Sequence, residues 1–169
     1  PDPGQLFCDI FPDPGADKYF RISIHEQDVL AEMIGMLQQN SNIVFDGFHA
    51  HIGSQIFEPQ AFETEIEVMG RFLYEMQETY GIESRCLDVG GGFAVRYTDE
   101  DRPIPIDLEC QTILKACRKT KEKYQLPLAK ILIEPEGIVG EAGLTLYTVG
   151  FTEKDRNRRY VFVDGGMSD

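Results

Sequence analysis

Strand-like and helix-like apolar patterns alternate along residues 26–134, and this alternation constrains the fold more than any other feature of the sequence. Apolar residues recur at helical spacing over residues 26–39, 59–80 and 107–124. Strand-like segments alternate with these helices and occupy residues 41–53, 86–89 and 130–134. The alternation predicts an α/β fold with parallel strands, because each crossover helix returns the chain to the same end of the sheet.

The number of these units predicts an incomplete structure if the parallel sheet belongs to a barrel. A barrel of eight βα units needs ~250 residues, whereas this chain has 169. We therefore expect the chain to contain part of a barrel and to be a segment of a longer protein.

Residues 1–18 are rich in Pro, Gly and Asp, and we expect them to be irregular.

The pattern changes after Gly140, where two β-type runs occupy residues 144–149 and 160–163. A charged turn separates them and no helical pattern lies between, which indicates antiparallel pairing. We therefore expect two domains. Residues 1–140 form the partial barrel, and residues 141–169 begin a β domain.

The charge of the chain excludes some partners. Its 16 Lys and Arg residues against 29 Asp and Glu residues give a net charge of −13, which disfavours binding to nucleic acid or to an anionic membrane surface. No apolar run approaches the ~20 residues of a membrane-spanning helix. Four cysteines lack a CxxC pair and indicate a reduced, cytoplasmic setting; they are Cys8, Cys86, Cys110 and Cys117.

Unusual sequences follow each of the three helix-flanked strands. They are HAHIGSQ from His49, DVGGGF from Asp88 and EPEG from Glu134. The carboxyl ends of parallel strands lie at one edge of a sheet, where α/β proteins place their functional groups. The sequence therefore predicts one site that combines these three segments.

A phosphate group is one candidate ligand for this edge. The three consecutive glycines, residues 90–92, offer backbone N–H groups that a phosphate can approach closely. Ser54 could add a hydroxyl donor. A flexible turn is the competing interpretation of the glycine run. The buried strand just before the run, and the Gly-Ser pair one unit earlier, favour the phosphate.

His49 and His51 are two residues apart on a strand, so their side chains leave the same face. The pair could bind a metal ion, with Asp88 and Glu134 as possible further ligands. Alternatively, one imidazole could stack on an aromatic cofactor, or a histidine could be a hydrogen-bonded core residue. Glu134 ends an apolar strand, where a carboxylate needs a partner. That partner could be the protonated ring nitrogen of a ligand or an arginine of the barrel.

Five strings of the sequence, in this order, resemble the fold-type III pyridoxal-phosphate decarboxylases. They are GFHAHIGSQIF, LDVGGGFAVRYT, ILIEP, VGEAGLTLYTVG and YVFVDGGMSD, and the resemblance covers roughly residues 46–169. The resemblance implies an alanine racemase-like (β/α)8 barrel that binds pyridoxal 5'-phosphate and is followed by a C-terminal β domain. The implied activity is decarboxylation of a small amino acid, with meso-diaminopimelate converted to L-lysine and CO2 as the expected reaction.

The resemblance also implies a role for each site residue. His51 would stack on the pyridine ring, and Glu134 would pair with its protonated nitrogen, which makes the ring an electron sink. The phosphate would be held by Ser54, Gly90, Gly91 and Gly92, and Gly137 belongs to the same cofactor-binding set. In the family, residues later in the chain complete active sites shared across a homodimer.

Two departures from the family pattern limit what this chain can do alone. The family's Schiff-base lysine is expected upstream of Pro1, and none of the seven lysines occupies the expected strand-end position. The family's EPGR motif is replaced by EPEG, which lacks the arginine and places Glu136 beside the phosphate. We therefore expect no catalytic residue and no metal ligand in this chain, and no activity from the chain alone.

Two alternative functions remain open at this point. One is a decarboxylase-like homologue that binds the cofactor or regulates without catalysing a reaction. The other, which has less support, is a metal-dependent barrel hydrolase that uses His49 and His51.

Overall fold

A computed structural model of the chain describes residues 22–135 and 137–166, together with the backbone of residues 5–11. In this part of the chain, five parallel strands form one sheet in the order β2-β1-β3-β4-β5. In chain order these strands are β1 (Gln5–Phe11), β2 (Ile22–Ser23), β3 (Val44–Ala50), β4 (Cys86–Gly91) and β5 (Lys130–Glu134). The expectation of a parallel α/β sheet is confirmed.

Strand β1 corrects one expectation, because residues 1–18 were expected to be irregular and residues 5–11 form a strand. Five of these seven residues are apolar, and the Pro and Gly residues that suggested a loop lie on both sides of them. The strand pairs with β3 along most of its length, so its backbone hydrogen bonds come from a distant part of the chain.

The three long helices begin and end within two residues of the predicted bounds. They are α1 (Gln27–Gln38), α2 (Gln60–Tyr80) and α3 (Ile106–Tyr124). Helix α2 ends as expected at Gly81, which has a φ of 67° and donates its N–H to the carbonyl oxygen of Gln77. The single-turn helix α4 (Gly137–Gly140) follows β5 and was not predicted.

The hydrophobic core lies between one face of the sheet and the helices. Phe48 and Leu87 project from neighbouring strands and are fully buried, as are Phe62 and Ile66 of α2. Side chains alternate along a strand, so His49 and Asp88 leave the opposite face of the sheet. The core therefore fixes the strands and leaves the opposite face to carry polar groups.

The last two strands form a separate antiparallel sheet, which confirms the predicted pairing. They are β6 (Val149–Asp155) and β7 (Arg158–Val163). The first predicted run, 144–149, was placed wrongly, because only Val149 of it lies in a strand. Strands β6 and β7 pair up to the tight turn at Arg156, so the charged segment is part of the paired strands. The residues of both strands are exposed, so the strands need no alternation of apolar and polar residues. The boundary between domains at residue 140 remains a prediction.

Candidate cofactor site

Strand register brings the three predicted segments together at one edge of the parallel sheet. His49 is the register partner of Asp88 across β3 and β4, and Gly91 is the partner of Glu134 across β4 and β5. His51 then lies beside the glycines, since its Nδ1 accepts a hydrogen bond from the Gly91 N–H at 3.4 Å. The three segments therefore surround one region of the sheet edge.

The glycines form a bend that only glycine fits. Gly90 and Gly92 have positive φ angles of 65° and 85°. A Cβ atom on Gly92 would lie 1.8 Å from the carbonyl oxygen of Gly53, and one on Gly91 would lie 2.0 Å from that of Glu134. The absence of side chains therefore allows the loop after β3 and the end of β5 to approach the bend closely.

Two N–H groups of this bend are engaged within the protein, which differs from the expectation that they are free for a ligand. Gly90 donates its N–H to Asp88 Oδ1 at 2.9 Å, and Gly91 donates to His51. The open space lies beside Gly53, where a Cβ atom would have no neighbour within 4 Å. The exposed Ser54 follows directly.

Gln55 joins the loop after β3 to the loop after β4, and the sequence reasoning missed it. Its side-chain amide donates to the carbonyl oxygen of Val95 at 3.1 Å and accepts the Val95 N–H at 2.8 Å. An isolated bridge between Ile56 and Phe93 adds to this connection. No local sequence signal identifies Gln55, because its partner lies in a different loop.

Glu134 lies at the carboxyl end of β5, with about half of its side chain exposed (49%). Its Oε2 lies 3.6 Å from Nε2 of His49, whose side chain is 16% exposed. An arginine was one predicted partner for this carboxylate, but the basic side chain within 4 Å of it in the described part of the chain is the His49 imidazole. The carboxylate thus stands at the sheet edge with one side open.

Of the four candidate metal ligands, which are His49, His51, Asp88 and Glu134, the structure brings three together. His49, Asp88 and Glu134 each offer a ligand atom, and these three atoms lie within 4.8 Å of one another. His51 is outside this set, and its ring centroid lies 6.5 Å from that of His49. The predicted His49–His51 pair is therefore not the arrangement that the geometry favours.

Gly137 begins helix α4, where a Cβ atom would lie 2.8 Å from Cγ1 of Val95. This contact places the start of α4 against the loop that follows the glycine bend. Glu136 belongs to the EPEG segment, which lacks the arginine of the family's EPGR motif. It lies outside the described residues. The same is true of Lys18.

The other six lysines lie in strands β5 and β6 and in helix α3. Lys130 begins β5 at the end remote from the site, and its Nζ contacts Asp46 Oδ2 at 3.0 Å. Lys154 lies in β6, and the remaining four lie in α3. None of these six residues follows a strand end of the parallel sheet.

One buried acid lies on the opposite side of the sheet from His49. Glu65 of α2 is 6% exposed, and neither carboxyl oxygen has a hydrogen-bond partner among the described residues. Burial, with a smaller contribution from the Asp88 carboxylate, raises the pKa of Glu65 to about 8. The side chain borders a mostly apolar cavity of about 150 Å³, together with Ala50 and Val68. It has no part in the sheet-edge site.

The donor groups at the sheet edge fit a phosphorylated aromatic ring. The imidazole of His51 can stack on a ring, the hydroxyl of Ser54 can reach a phosphate, and the carboxylate of Glu134 can face a basic ring nitrogen. The open space beside Gly53 and the exposed Ser54 leaves room for the phosphate of such a ligand. A side chain that faces the ring nitrogen is one feature of sites that bind pyridoxal phosphate.

Comparison with known proteins gives the same assignment. Residues 14–139 match the family described as "Pyridoxal-dependent decarboxylase, pyridoxal binding domain". The chain belongs to this family.

Diaminopimelate decarboxylases are among the proteins that this chain resembles. The chain is 37% identical to the Bacillus subtilis enzyme over 155 residues, which cover 90% of this chain and 35% of that protein. It is 40% identical to the Bacillus methanolicus enzyme over 146 residues, covering 85% of this chain and 34% of that protein. The crystal structure of the Helicobacter pylori enzyme complexed with L-lysine is 26% identical, with a TM-score of 0.60, and the match covers 98% of this chain and 41% of that one.

These comparisons confirm the expected fold type, an incomplete barrel of the alanine racemase-like class. The chain spans about a third of the length of the curated relatives it matches. No helix in the described part of the chain is long and apolar enough to cross a membrane.

Proposed function

We propose that this chain is the cofactor-holding part of a pyridoxal 5'-phosphate-dependent decarboxylase that converts meso-diaminopimelate to L-lysine and CO2. The observation that carries the proposal is the convergence of His51, the glycine bend and Glu134 at one edge of the sheet. The curated relatives named above are diaminopimelate decarboxylases, and their names support this substrate.

Each site residue contributes a separate contact in this proposal. His51 stacks on the ring, and Ser54 holds the phosphate with Gly137 and the glycine bend, residues 90–92. Glu134 holds a proton at the ring nitrogen, because a carboxylate beside that atom favours its protonated form. The cofactor, when bound, withdraws electrons from the carbon that loses CO2.

The remaining catalytic groups come from outside this chain in our proposal. A Schiff-base lysine is required, and none of the described lysines occupies a suitable position. The chain also corresponds to only 35% of the length of its Bacillus subtilis relative. We infer that the complete protein supplies the lysine, acts as a homodimer in the cytoplasm, and binds neither nucleic acid nor a membrane. The net charge of −13 is in keeping with the last inference.

Titration with pyridoxal 5'-phosphate tests the cofactor site in the product of the complete open reading frame that contains this chain. We expect saturable binding to the wild type and a loss of up to about tenfold in affinity for His51→Ala, the size of an aromatic stacking contribution. His25→Ala is the matched control, because His25 is exposed and precedes α1. Equal losses in the two variants would contradict the stacking role.

Release of CO2 from meso-diaminopimelate tests the reaction itself. Cofactor binding without CO2 release would favour the non-catalytic homologue over an enzyme. A metal-dependent hydrolase has one observation in its favour, the proximity of His49, Asp88 and Glu134. Elemental analysis addresses it directly, since stoichiometric zinc or manganese in a protein that does not bind pyridoxal phosphate would replace our proposal.

A further inference from the structure

His49 is a side chain at the sheet edge for which the proposed function has no role. It lies on β3 two residues before His51, and most of its side chain is buried (16% exposed). Its Nε2 lies 3.6 Å from Oε2 of Glu134, the carboxylate assigned to the ring nitrogen. A rigidly held ring is therefore in ion-pair range of a side chain that is half exposed.

Asp88 provides the second acidic group of this cluster and is itself fixed in place. It is 5% exposed, and its Oδ1 accepts the N–H of Gly90 at 2.9 Å. A ligand atom of Asp88 lies within 4.8 Å of those of His49 and Glu134. Two carboxylates at this separation repel each other, and an imidazole beside them can reduce the repulsion. The 3.6 Å between Nε2 of His49 and Oε2 of Glu134 is longer than a hydrogen bond, so a small movement of the Glu134 side chain would let it accept one there.

The side chains of Asp88, His49 and Glu134 differ in how freely they can change conformation. The backbone hydrogen bond holds Asp88, and burial holds the His49 ring. Glu134 has a longer side chain with about half of its surface exposed, so it has several rotamers available. The His49 imidazole, with Nε2 3.6 Å from Oε2, is placed to favour one of these rotamers.

We propose that His49 is a positioning residue, which holds the carboxylate of Glu134 in the orientation that faces the ring nitrogen of the cofactor. His49 acts through Glu134 and does not itself contact the cofactor. This inference rests on the proposed function, since it needs a ring nitrogen opposite Glu134.

The test compares two ligands that differ only at the ring nitrogen. These are pyridoxal 5'-phosphate and its 1-deaza analogue, in which carbon replaces that nitrogen. The ratio of their dissociation constants measures the contribution of Glu134 and is insensitive to general damage at the site. The complete open reading frame product is titrated as wild type, His49→Leu, His49→Gln, Glu134→Gln and the double variant His49→Leu/Glu134→Gln.

We expect His49→Leu to reduce the preference for pyridoxal 5'-phosphate about tenfold, which is typical of directly coupled residues. His49→Gln retains a donor near the position of Nε2 and should restore the preference to within about twofold of wild type. The His49→Leu effect should vanish in the Glu134→Gln background. His25→Leu, at the exposed histidine, should change nothing.

The possible failures are distinguishable. If the preference for pyridoxal 5'-phosphate over the analogue depends on Glu134 but is unchanged in His49→Leu, only the proposed role of His49 is overturned. Equal weakening of both ligands in His49→Leu, with the ratio kept, shows a purely structural role and also overturns it. A wild type that binds pyridoxal 5'-phosphate with no preference over the analogue overturns the role of Glu134 as well. No binding of either ligand overturns the proposed function itself.

Discussion

The buried carboxyl group of Glu65 predicts a specific dependence of stability on pH. Its pKa is raised from 4.5 to about 8, mainly by burial, whereas in the unfolded chain it returns to its ordinary value. Between these two values the folded state binds more protons than the unfolded state. The free energy of unfolding therefore falls as the pH rises through this interval, and it levels off above pH 8.

The expected size follows from the shift. Each pH unit between the two pKa values changes the free energy of unfolding by about 1.4 kcal/mol. From pH 5 to pH 8.5, Glu65 should therefore remove about 4 kcal/mol of stability, as an upper estimate. Glu65→Gln stays neutral throughout, so it should match the wild type near pH 5 and become progressively more stable than the wild type towards pH 8.5.

Urea unfolding followed by circular dichroism, from pH 5 to pH 8.5, measures this difference. The comparison between variant and wild type cancels the contributions of other groups, including Glu109, whose pKa burial also raises, to about 7. Glu78→Gln is the matched control, because Glu78 is an exposed residue of the same helix. A stability difference between Glu65→Gln and the wild type that does not change with pH would refute the reasoning.

Further predictions concern the glycine bend and the cysteines. Gly92→Ala should destabilise the protein by about 3 kcal/mol, since its Cβ would lie 1.8 Å from the Gly53 carbonyl oxygen. Gly35→Ala, in α1 with open space around the new Cβ, should stabilise it by about 0.5–1 kcal/mol, and equal midpoints for the two in urea unfolding would contradict the packing argument. Burial raises the pKa of the Cys117 thiol to about 12. At pH 8 the native protein should therefore react with a thiol reagent at the partly exposed Cys110 and not at the buried Cys117. Mass spectrometry maps the modified residues, and modification of Cys117 at a rate comparable to that of Cys110 would contradict this prediction.

The site illustrates which features a sequence can predict. The ends of β3, β4 and β5 were expected to meet, because parallel strands present their carboxyl ends at one edge. Strand register supports that expectation, with Gly91 beside Glu134. The contacts within the site were less accessible to prediction. The N–H groups of Gly90 and Gly91 were expected to be free, but they are bound to Asp88 and His51.

By itself, the sequence determined the three long helices and the position of the chemical groups at the strand ends. Both are local properties, since an amphipathic repeat or a glycine run is complete within a few turns of chain. Only the tertiary structure decided that residues 5–11 form a strand, that Gln55 bonds to Val95, and that His49 faces Glu134. Each of these depends on a partner far away in the sequence, and the relative placement of such partners is set by sheet register and core packing.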